Sequence, residues 1–306
     1  MENITRELKR LIKNNVTAGK DAGLLFSGGL DSAILAHLSP DSKAITVSLE
    51  SSGEDLGLSR AISGFIGMEH HIVDIKIQEA IESVPEVIKI LESFDPALPN
   101  DLVVYFGLKK ARDLGMRTVM TGDGSDELFA GYDYMRGIKD LDGYIKRISK
   151  EMSFSSNIIG NHFGIEIVQP FIQKEVIEFA LSIGHELKIK RDGDGTCGKW
   201  ILRKAFEGAL PGEFIWQGKR PLEVGSGMTG LRRILTEEVS NEEFKGREYP
   251  VKFFNREHLY YYKAYRSVIG DIPSPKDGQK SCLGCGAGIR PNAIHCRVCG
   301  YVYDWQ

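Results

Sequence analysis

The segment SGGLDS at positions 27–32 combines residue types and spacing that suit phosphate binding. It follows an apolar run at 22–26, which predicts a buried strand, and precedes 33–38, which predicts a helix. Two adjacent glycines allow a sharp turn that brings backbone N–H groups close to a ligand. The helix N-terminus adds further N–H donors and a partial positive charge. We therefore predict an anion site, against the alternative of an ordinary turn capped by Ser and Asp.

Asp31 does not suit a phosphate by itself, because a carboxylate repels it. A divalent cation between them resolves this, since magnesium is usually held by one or two carboxylates together with substrate phosphates. A second segment, TGDGSDELFAGY at 121–132, again follows an apolar run and carries three carboxylates within five residues. Their repulsion is costly unless a cation or a shared proton relieves it. The alternative is a solvated, capped helix start.

Together the two loops resemble those of the synthetase domain of asparagine synthetases and β-lactam synthetases, within the N-type ATP pyrophosphatase superfamily. The first resembles the superfamily's pyrophosphatase loop, and the second resembles SGEGSDE(L/V)FxGY, a motif of this branch. A third stretch, GKWILRKAF at 198–206, resembles the family's helix with the pattern Kx(I/L)LR. The resemblance extends from about residue 21 to about residue 230.

The resemblance implies an ATP-dependent ligase that adenylates a carboxylate, releases pyrophosphate and transfers ammonia or another amine. It implies that Lys199 assists the departure of pyrophosphate and that Asp31 and Asp126 hold Mg²⁺. Asp123 takes the place of the family's glutamate base and is one methylene shorter. The implied ATP and pyrophosphate contacts are Ser27, Gly28, Gly29, Asp31 and Ser32, with Phe26, Val47 and Gly122 on the adenosine side.

The acceptor side departs from the family pattern. Where the family has GxEaRvPFLD, this chain has GIEIVQPFIQ at 164–173, with Val168 for the basic residue and Gln173 for the final acid. The sequence also lacks a glutaminase domain, so we expect free ammonia, another amine, or a separate ammonia-supplying or carrier protein. A tRNA-modifying ATP pyrophosphatase, which adenylates a base and delivers sulfur or nitrogen, stays open as the alternative.

Two CxxC pairs near the end of the sequence predict a metal centre. Cys282 and Cys285 form the first pair, Cys296 and Cys299 form the second, and a glycine follows each pair. Four cysteines in this spacing are typical of a closed, structural zinc site, with disulfides as the alternative. A polar, proline-bearing linker precedes them. The predicted domains are 1–271 for the synthetase domain, 272–280 for the linker and 281–306 for a zinc ribbon.

Composition fits this class. The 306 residues are 42% hydrophobic and 26% charged, with a formal net charge of −3. This balance does not call for a nucleic-acid partner. No apolar run reaches the roughly 18 residues of a membrane span, and the first residues lack a signal-peptide core, so we expect a cytoplasmic protein. A homodimer is compatible with the sequence.

Strand patterns that alternate with helical patterns predict an α/β fold. We expect a parallel twisted sheet with helices on both faces, similar to adenine nucleotide α hydrolases, and a helical elaboration from 134 to 235. Both glycine loops would then lie at the carboxyl ends of strands, where open α/β sheets bind their ligands.

Overall fold

The structure is a computed structural model that describes residues 1–17, 19–192, 195–246 and 249–303. The strands are β1 Ala22–Leu25, β2 Lys43–Leu49, β3 His70–Ile75, β4 Thr118–Met120, β5 Glu166–Val168, β6 Lys190–Asp192, β7 Gly195–Cys197, β8 Lys280–Ser281 and β9 Gly288–Ile289. The helices are α1 Glu2–Asn14, α2 Leu30–Leu38, α3 Asp55–Ile66, α4 Ile77–Leu91, α5 Leu98–Asp113, α6 Ser125–Phe129, α7 Leu141–Ile148, α8 Ser155–Phe163, α9 Lys174–Ser182, α10 Trp200–Phe206, α11 Gly212–Ile215, α12 Leu222–Gly225, α13 Thr229–Glu237, α14 Asn241–Gly246 and α15 Arg256–Val268.

Five strands form the main sheet in the order β3-β2-β1-β4-β5. The pairings of β1 with β2, of β1 with β4 and of β4 with β5 are parallel. Six consecutive residues of β2 are buried, as expected for a strand covered on both faces. The predicted α/β fold class is therefore confirmed.

The strand order explains why the two glycine loops meet. The chain leaves β1 toward β2 on one side and returns later as β4 on the other side, so the order reverses between β1 and β4. Their register pairs Leu24 with Met120, which brings the two carboxyl ends to one edge of the sheet. This is the topological switch point at which open α/β sheets form a ligand crevice.

Helix α1 shows how sequence pattern becomes packing. Its buried residues Leu8, Leu11 and Ile12 are spaced three and four apart, so they form one stripe, and α1 packs against α10 and α9. Helix α2 begins at Leu30, three residues earlier than predicted, because Gly29 is extended and serves as the N-cap.

Strand β5 does not follow from the sequence patterns. It is three residues long and only partly buried, so neither an apolar run nor a clear alternation marks it. Its existence depends on pairing with β4, which is a contact between residues far apart in the chain. The short β6–β7 hairpin is also absent from the sequence-based expectation.

The chain divides into two compact units that interleave along the sequence. The first comprises Met1–Val47, Glu54–Val73 and Gly107–Pro221, and the second comprises Ser48–Gly53, Asp74–Phe106 and Leu222–Gln306. The domain boundaries expected at 271 and 281 stay a prediction, and the last described residue of the predicted ribbon is 303. Among the described residues, no helix combines the length and apolar character needed to cross a bilayer.

Candidate nucleotide site and candidate metal centre

The loop after β1 has the geometry of an anion cradle. Gly28 has φ +74°, and a Cβ there would lie 2.8 Å from the Ser59 backbone nitrogen, so only glycine fits without strain. The Gly29 N–H donates to Ser27 Oγ at 3.1 Å, and Ser32 Oγ donates to the Gly29 carbonyl at 3.1 Å. No side chain caps the start of α2. The first turn of α2 thus has backbone donors to offer a phosphate group.

Two carboxylates from the two loops share one ammonium group. Lys199 Nζ lies 2.5 Å from Asp31 Oδ2 and 2.8 Å from Asp126 Oδ1. Ser125 Oγ donates to Asp31 Oδ1 at 2.7 Å. A second ammonium group, that of Lys219, also contacts Asp126 Oδ1. We call Asp31, Asp126, Lys199 and Lys219 the charged cluster; its two acids and two bases balance.

The surroundings of Asp126 and Lys199 favour the ionised forms of these two side chains. Burial opposes the charge on Asp126, but Lys199 and Lys219 outweigh burial and hold the pKa of Asp126 below its usual value. Burial likewise opposes the charge on Lys199, and Asp126 and Asp31 raise its pKa above the ordinary value. Asp126 Oδ1 is buried and faces the ammonium groups of both Lys199 and Lys219. This oxygen and those of Asp31 surround a position that already holds a cation, which fits a hard metal such as Mg²⁺.

The backbone close to the charged cluster is tightly packed, and two non-glycine residues there, Ala130 and Lys199, have positive φ. Lys199 has φ +55°, a left-handed conformation that costs a non-glycine residue on the order of 1–3 kcal/mol. Its N–H donates to the Phe129 carbonyl at 3.0 Å. A Cβ on Gly131 would lie 1.9 Å from Asp126 Oδ1, and one on Gly198 would lie 2.3 Å from the Ala130 carbonyl oxygen. The two glycines therefore allow α10 to start against the second loop.

Asp123, the predicted base, lies in a separate polar group. Its Oδ2 accepts from Thr121 Oγ1 at 2.6 Å, Ser156 Oγ at 2.6 Å and Gln169 Nε2 at 2.8 Å. Gln169 is almost fully buried, and its own Oε1 accepts from Asn157 Nδ2 at 3.1 Å. These contacts hold the shorter side chain in place, and the assignment of Asp123 as a base stays a prediction.

Glu127 and Tyr132 form a hydrogen-bonded pair of side chains beside the charged cluster. Tyr132 Oη donates to Glu127 Oε1 at 2.7 Å. Burial raises the pKa of Glu127, opposed by this hydrogen bond and assisted by the charge of Asp126. The Tyr132 ring lies 4.3 Å from Lys219 Nζ and stacks on Tyr134 with a centroid distance of 5.5 Å. The sequence-based assignment gave no role to these side chains.

The residues predicted for the adenosine side lie at the same edge of the sheet. Phe26 directly follows β1, is 2% exposed and forms a T-shaped contact with the His70 ring, with the ring centroids 5.7 Å apart. Val47 is buried within β2. A Cβ on Gly122 would lie 3.0 Å from Asp31 Cβ, so this glycine permits the approach of the two loops. Contacts of these residues with adenosine stay a prediction.

Lys219 lies in the segment 217–220, and contacts of the neighbouring residues hold this segment against the rest of the site. Gln217 Nε2 donates to the carbonyl of Gly28 in the first loop at 3.0 Å, and Arg203 Nη1 donates to the Gln217 carbonyl at 3.0 Å. Arg220 Nε lies 3.4 Å from Asp55 Oδ1 at the start of α3. Burial raises the pKa of Asp55 to about 6, although Arg220 opposes the shift. No motif in the sequence marks Lys219; only these long-range contacts bring it to Asp126.

The four cysteines near the end of the chain come together. Cys282 and Cys299 have their sulfurs 3.7 Å apart, Cys285 and Cys296 have theirs 3.9 Å apart, and all four sulfurs lie within 4.8 Å of one another. All four side chains are buried. Four thiolates at these distances can hold a single metal ion.

Both cysteine pairs use the same backbone turn. Gly286 N–H donates to the Cys282 carbonyl and Gly300 N–H donates to the Cys296 carbonyl, each at 2.8 Å. The two glycines have φ +79° and +75°, which explains the glycine after each pair. Gly284 N–H also points at Cys282 Sγ at 3.3 Å.

Hydrogen bonds attach the cysteine centre to its own compact unit. The Phe94 N–H donates to the Val298 carbonyl at 2.8 Å, and His295 Nε2 lies 2.8 Å from Asp95 Oδ2. Burial lowers the pKa of His295, but the Asp95 hydrogen bond and charge outweigh it, so the net shift is upward. Lys252 N–H donates to the Gly284 carbonyl at 2.8 Å. His295 therefore has a carboxylate partner and is not a fifth metal ligand.

Comparison with known proteins identifies the family. The model of the asparagine synthase family matches residues 3–153 and 144–265. A probable glutamine-hydrolysing asparagine synthetase from Dictyostelium discoideum is 30% identical over 263 residues, which covers 74% of this chain and 47% of that protein. A glutamine-hydrolysing asparagine synthetase from Lotus japonicus is 29% identical over 298 residues, covering 87% of this chain and 50% of its own. The chain belongs to the asparagine synthase family, and it spans about half the length of these curated relatives.

Two solved structures show distant likenesses to this chain. The U34-tRNA thiolase NcsA from Methanococcus maripaludis, with its 4Fe–4S cluster, has a TM-score of 0.35 at 15% identity, covering 83% of this chain and 87% of that one. A predicted tRNA methyltransferase subunit from Methanocaldococcus jannaschii has a TM-score of 0.29 at 14% identity, covering 65% of this chain and 93% of that one. At these scores the likenesses carry no functional argument.

The burial of Asp55 predicts a pH-dependent stability. Its pKa of about 6 lies above the unfolded value of about 3.9, so folding favours the neutral acid. This contribution is fully present below about pH 4 and is lost as the pH rises through about 6. Asp55→Asn removes the titration. The unfolding free energy of Asp55→Asn minus that of wild type should therefore increase from acidic to neutral pH. Urea unfolding at several pH values measures this difference.

Asp113→Asn serves as the control for this measurement, because Asp113 is a half-exposed carboxylate paired with Arg112. The difference in unfolding free energy between Asp113→Asn and wild type should change little with pH. A difference for Asp55→Asn that stays constant, or that decreases toward neutral pH, would contradict the assigned shift.

Proposed function

We propose that this domain activates a carboxylate by adenylation and then transfers ammonia or another amine to it, as an asparagine synthetase-like, AMP-forming ligase. One observation carries the proposal: Asp31 and Asp126, at the carboxyl ends of the adjacent strands β1 and β4, converge on Lys199. Family membership supports ATP as the activating substrate. The roles of the site residues and the identity of the substrates are part of this proposal.

In the first step, an oxygen of the acceptor carboxylate attacks the α-phosphorus of ATP. The bond from that phosphorus to the oxygen of the leaving pyrophosphate breaks, and the acceptor becomes an acyl adenylate. Backbone N–H groups of Gly29 and the first turn of α2 orient the phosphates, with Ser27, Gly28 and Ser32 shaping the loop. Lys199 stabilises the negative charge that grows on the departing pyrophosphate.

Magnesium, held by Asp31 and Asp126, would supply additional positive charge at the phosphates. The site fits this ion by its chemistry, because both ligands are carboxylates and their oxygens already surround a positively charged group. Phe26, Val47 and Gly122 are proposed to contact the adenosine portion, by packing or through backbone groups.

In the second step, the nitrogen nucleophile attacks the acyl carbon. The carbon–oxygen bond to the phosphate breaks, AMP leaves with that oxygen, and the nitrogen gives up a proton to form the amide. Asp123 is the proposed base. Because its Oδ2 already accepts three hydrogen bonds, the proton would go to Oδ1. The ammonia would come from solution or from a separate protein.

The cysteine centre is proposed to hold one structural zinc ion. A tetrahedron of thiolates about 2.3 Å from zinc has edges of roughly 3.8 Å, which agrees with the sulfur separations of 3.7 and 3.9 Å. With four sulfur ligands the ion would have no open position for a substrate. Its role would be to hold the two cysteine turns together.

The experiment that tests the function follows pyrophosphate release from ATP and Mg²⁺ with ammonia, over separate pools of amino acids and tRNA. Release that depends on an amino acid or another small carboxylate, together with AMP and an amide product, is the expected result. Release that depends on tRNA alone would replace amidation by RNA modification. ADP as the nucleotide product would contradict adenylation.

Loss of the Lys199 ammonium should slow the first step. Lys199→Ala should lower the rate of adenylate formation by about 10²-fold or more, the scale on which one transition-state contact acts. Affinity for ATP should fall much less. Lys199→Arg should restore little activity, because a planar guanidinium does not replace a compact ammonium between two carboxylates. Pre-steady-state quenched-flow measurement of adenylate gives the rate.

The matched control is Lys204→Ala, since Lys204 pairs with Glu207 just after the end of α10 and is outside the charged cluster. It should retain normal rates. If Lys199→Ala only raised the Michaelis constant for the acceptor, Lys199 would be a substrate-recognition residue instead.

Neutral replacements of Asp31 and Asp126 should stop catalysis at the adenylation step. Asp31→Asn and Asp126→Asn should each abolish pyrophosphate release, because magnesium requires the charge as well as the geometry. Circular dichroism should show intact folding. Asp133→Asn, at an exposed acid paired with Arg136, should behave as wild type. Near-normal turnover in either cluster variant would rule out the proposed metal ligands.

Removal of the cysteine-bound metal should destabilise the protein. Elemental analysis of reduced protein should find about one zinc ion per chain, and Cys296→Ser should lower both the zinc content and the unfolding temperature. Cys197→Ser, at the one cysteine outside the centre, should change neither. Zinc-free protein that unfolds at the wild-type temperature would contradict a structural zinc site.

A further inference from the structure

Lys219 is the member of the charged cluster to which neither the sequence motifs nor the family resemblance gave a role. Its ammonium group contacts the same oxygen, Asp126 Oδ1, that Lys199 contacts. The two lysines differ in accessibility, because 27% of the Lys219 side chain is exposed and only 7% of the Lys199 side chain. Lys219 therefore covers Asp126 on the solvent side.

The backbone that carries Lys219 is fixed next to the phosphate loop. Gln217 Nε2 donates to the Gly28 carbonyl, and Arg220 on the other side of Lys219 pairs with Asp55. The residues on both sides are thus attached, while the Lys219 side chain itself rests on the Tyr132 ring at 4.3 Å and on Asp126. A lysine on such a backbone can turn its ammonium group between neighbouring anions without moving the chain.

Charge balance limits what the cluster can bind. Two carboxylates face two ammonium groups, so the cluster is close to neutral. A divalent cation on Asp126 would have to compete with Lys219 for Oδ1, and its charge would be surplus. The phosphates of ATP remove both difficulties, since they offset the surplus charge and offer the ammonium group other oxygens to contact.

We propose that Lys219 is an exchangeable counter-ion. Without nucleotide its ammonium group occupies Asp126, and when ATP binds the group transfers to phosphate oxygens and leaves Asp126 Oδ1 to the divalent cation. This inference rests on the proposed function, because it takes a nucleoside triphosphate as the ligand. It requires that the free cation binds weakly and that cation and nucleotide strengthen each other's binding.

Mn²⁺ serves as a spectroscopic probe for this exchange. Electron paramagnetic resonance measures free Mn²⁺ during titration of zinc-loaded protein, and calorimetry measures the binding of α,β-methylene ATP, which cannot transfer its AMP portion because its α–β bridge is not cleaved. The proteins are wild type, Lys219→Met, Lys219→Arg and the control Lys204→Met. Lys204 suits this purpose because it is also a partly exposed lysine paired with a carboxylate.

Removal of the Lys219 charge should change the two affinities in opposite directions. Without nucleotide, Lys219→Met should bind Mn²⁺ about tenfold more tightly than wild type, since a positive charge a few ångströms from the cation is gone. It should bind the ATP analogue about tenfold more weakly, and the coupling between cation and nucleotide should shrink. Lys219→Arg should have nearly wild-type affinity for both ligands. Lys204→Met should have the same affinities as wild type.

A merely structural lysine would not give this pattern, because loss of structure weakens both ligands. Weaker or unchanged Mn²⁺ binding by Lys219→Met would overturn the counter-ion role, and unchanged binding of the analogue would overturn the transfer to phosphate. If wild type bound no analogue at all, the proposed function would fall together with the exchange. Equal coupling in wild type and Lys219→Met would overturn the role of Lys219 alone.

Discussion

Two carboxylates at neighbouring strand ends can lie this close together only because an ammonium group lies between them. Lys199 Nζ is within 2.8 Å of oxygens from both Asp31 and Asp126, and in this way it connects the loop after β1, the loop after β4 and the start of α10. The left-handed backbone of Lys199 and the close approach at Gly131 follow from this requirement, because the ammonium group must reach a buried point between two loops. Strain at such a residue is common where the surrounding structure determines a functional geometry.

The sequence predicted those parts of the site whose geometry is local. The glycines of the first loop and the acids of the second indicated an anion and cation site, because turn geometry and charge repulsion depend on neighbours in the chain. The contact of Lys219 with Asp126 and the hydrogen bond from Gln169 to Asp123 were not predictable in this way, since each depends on tertiary pairing. Strand β5 has the same explanation, because one exposed and two partly buried residues become a strand through pairing with β4.

The chain offers two metal environments whose ligands differ in chemistry. Oxygens of Asp31 and Asp126 suit a hard cation that also binds phosphates, whereas the thiolates of Cys282 and its three partners suit zinc. Each environment lies in its own compact unit. In the proposal, this difference in ligand softness lets one ion serve catalysis while the other stabilises the fold.

The central claim is that an acceptor carboxylate is joined to the α-phosphorus of ATP. The most direct measurement supplies an acceptor whose carboxylate carries a heavy oxygen isotope and analyses the AMP by mass spectrometry. If the carboxylate attacks phosphorus and nitrogen then breaks the carbon–oxygen bond, one labelled oxygen must appear in the phosphate of AMP. AMP without the label, or a turnover that releases ADP, would contradict the account.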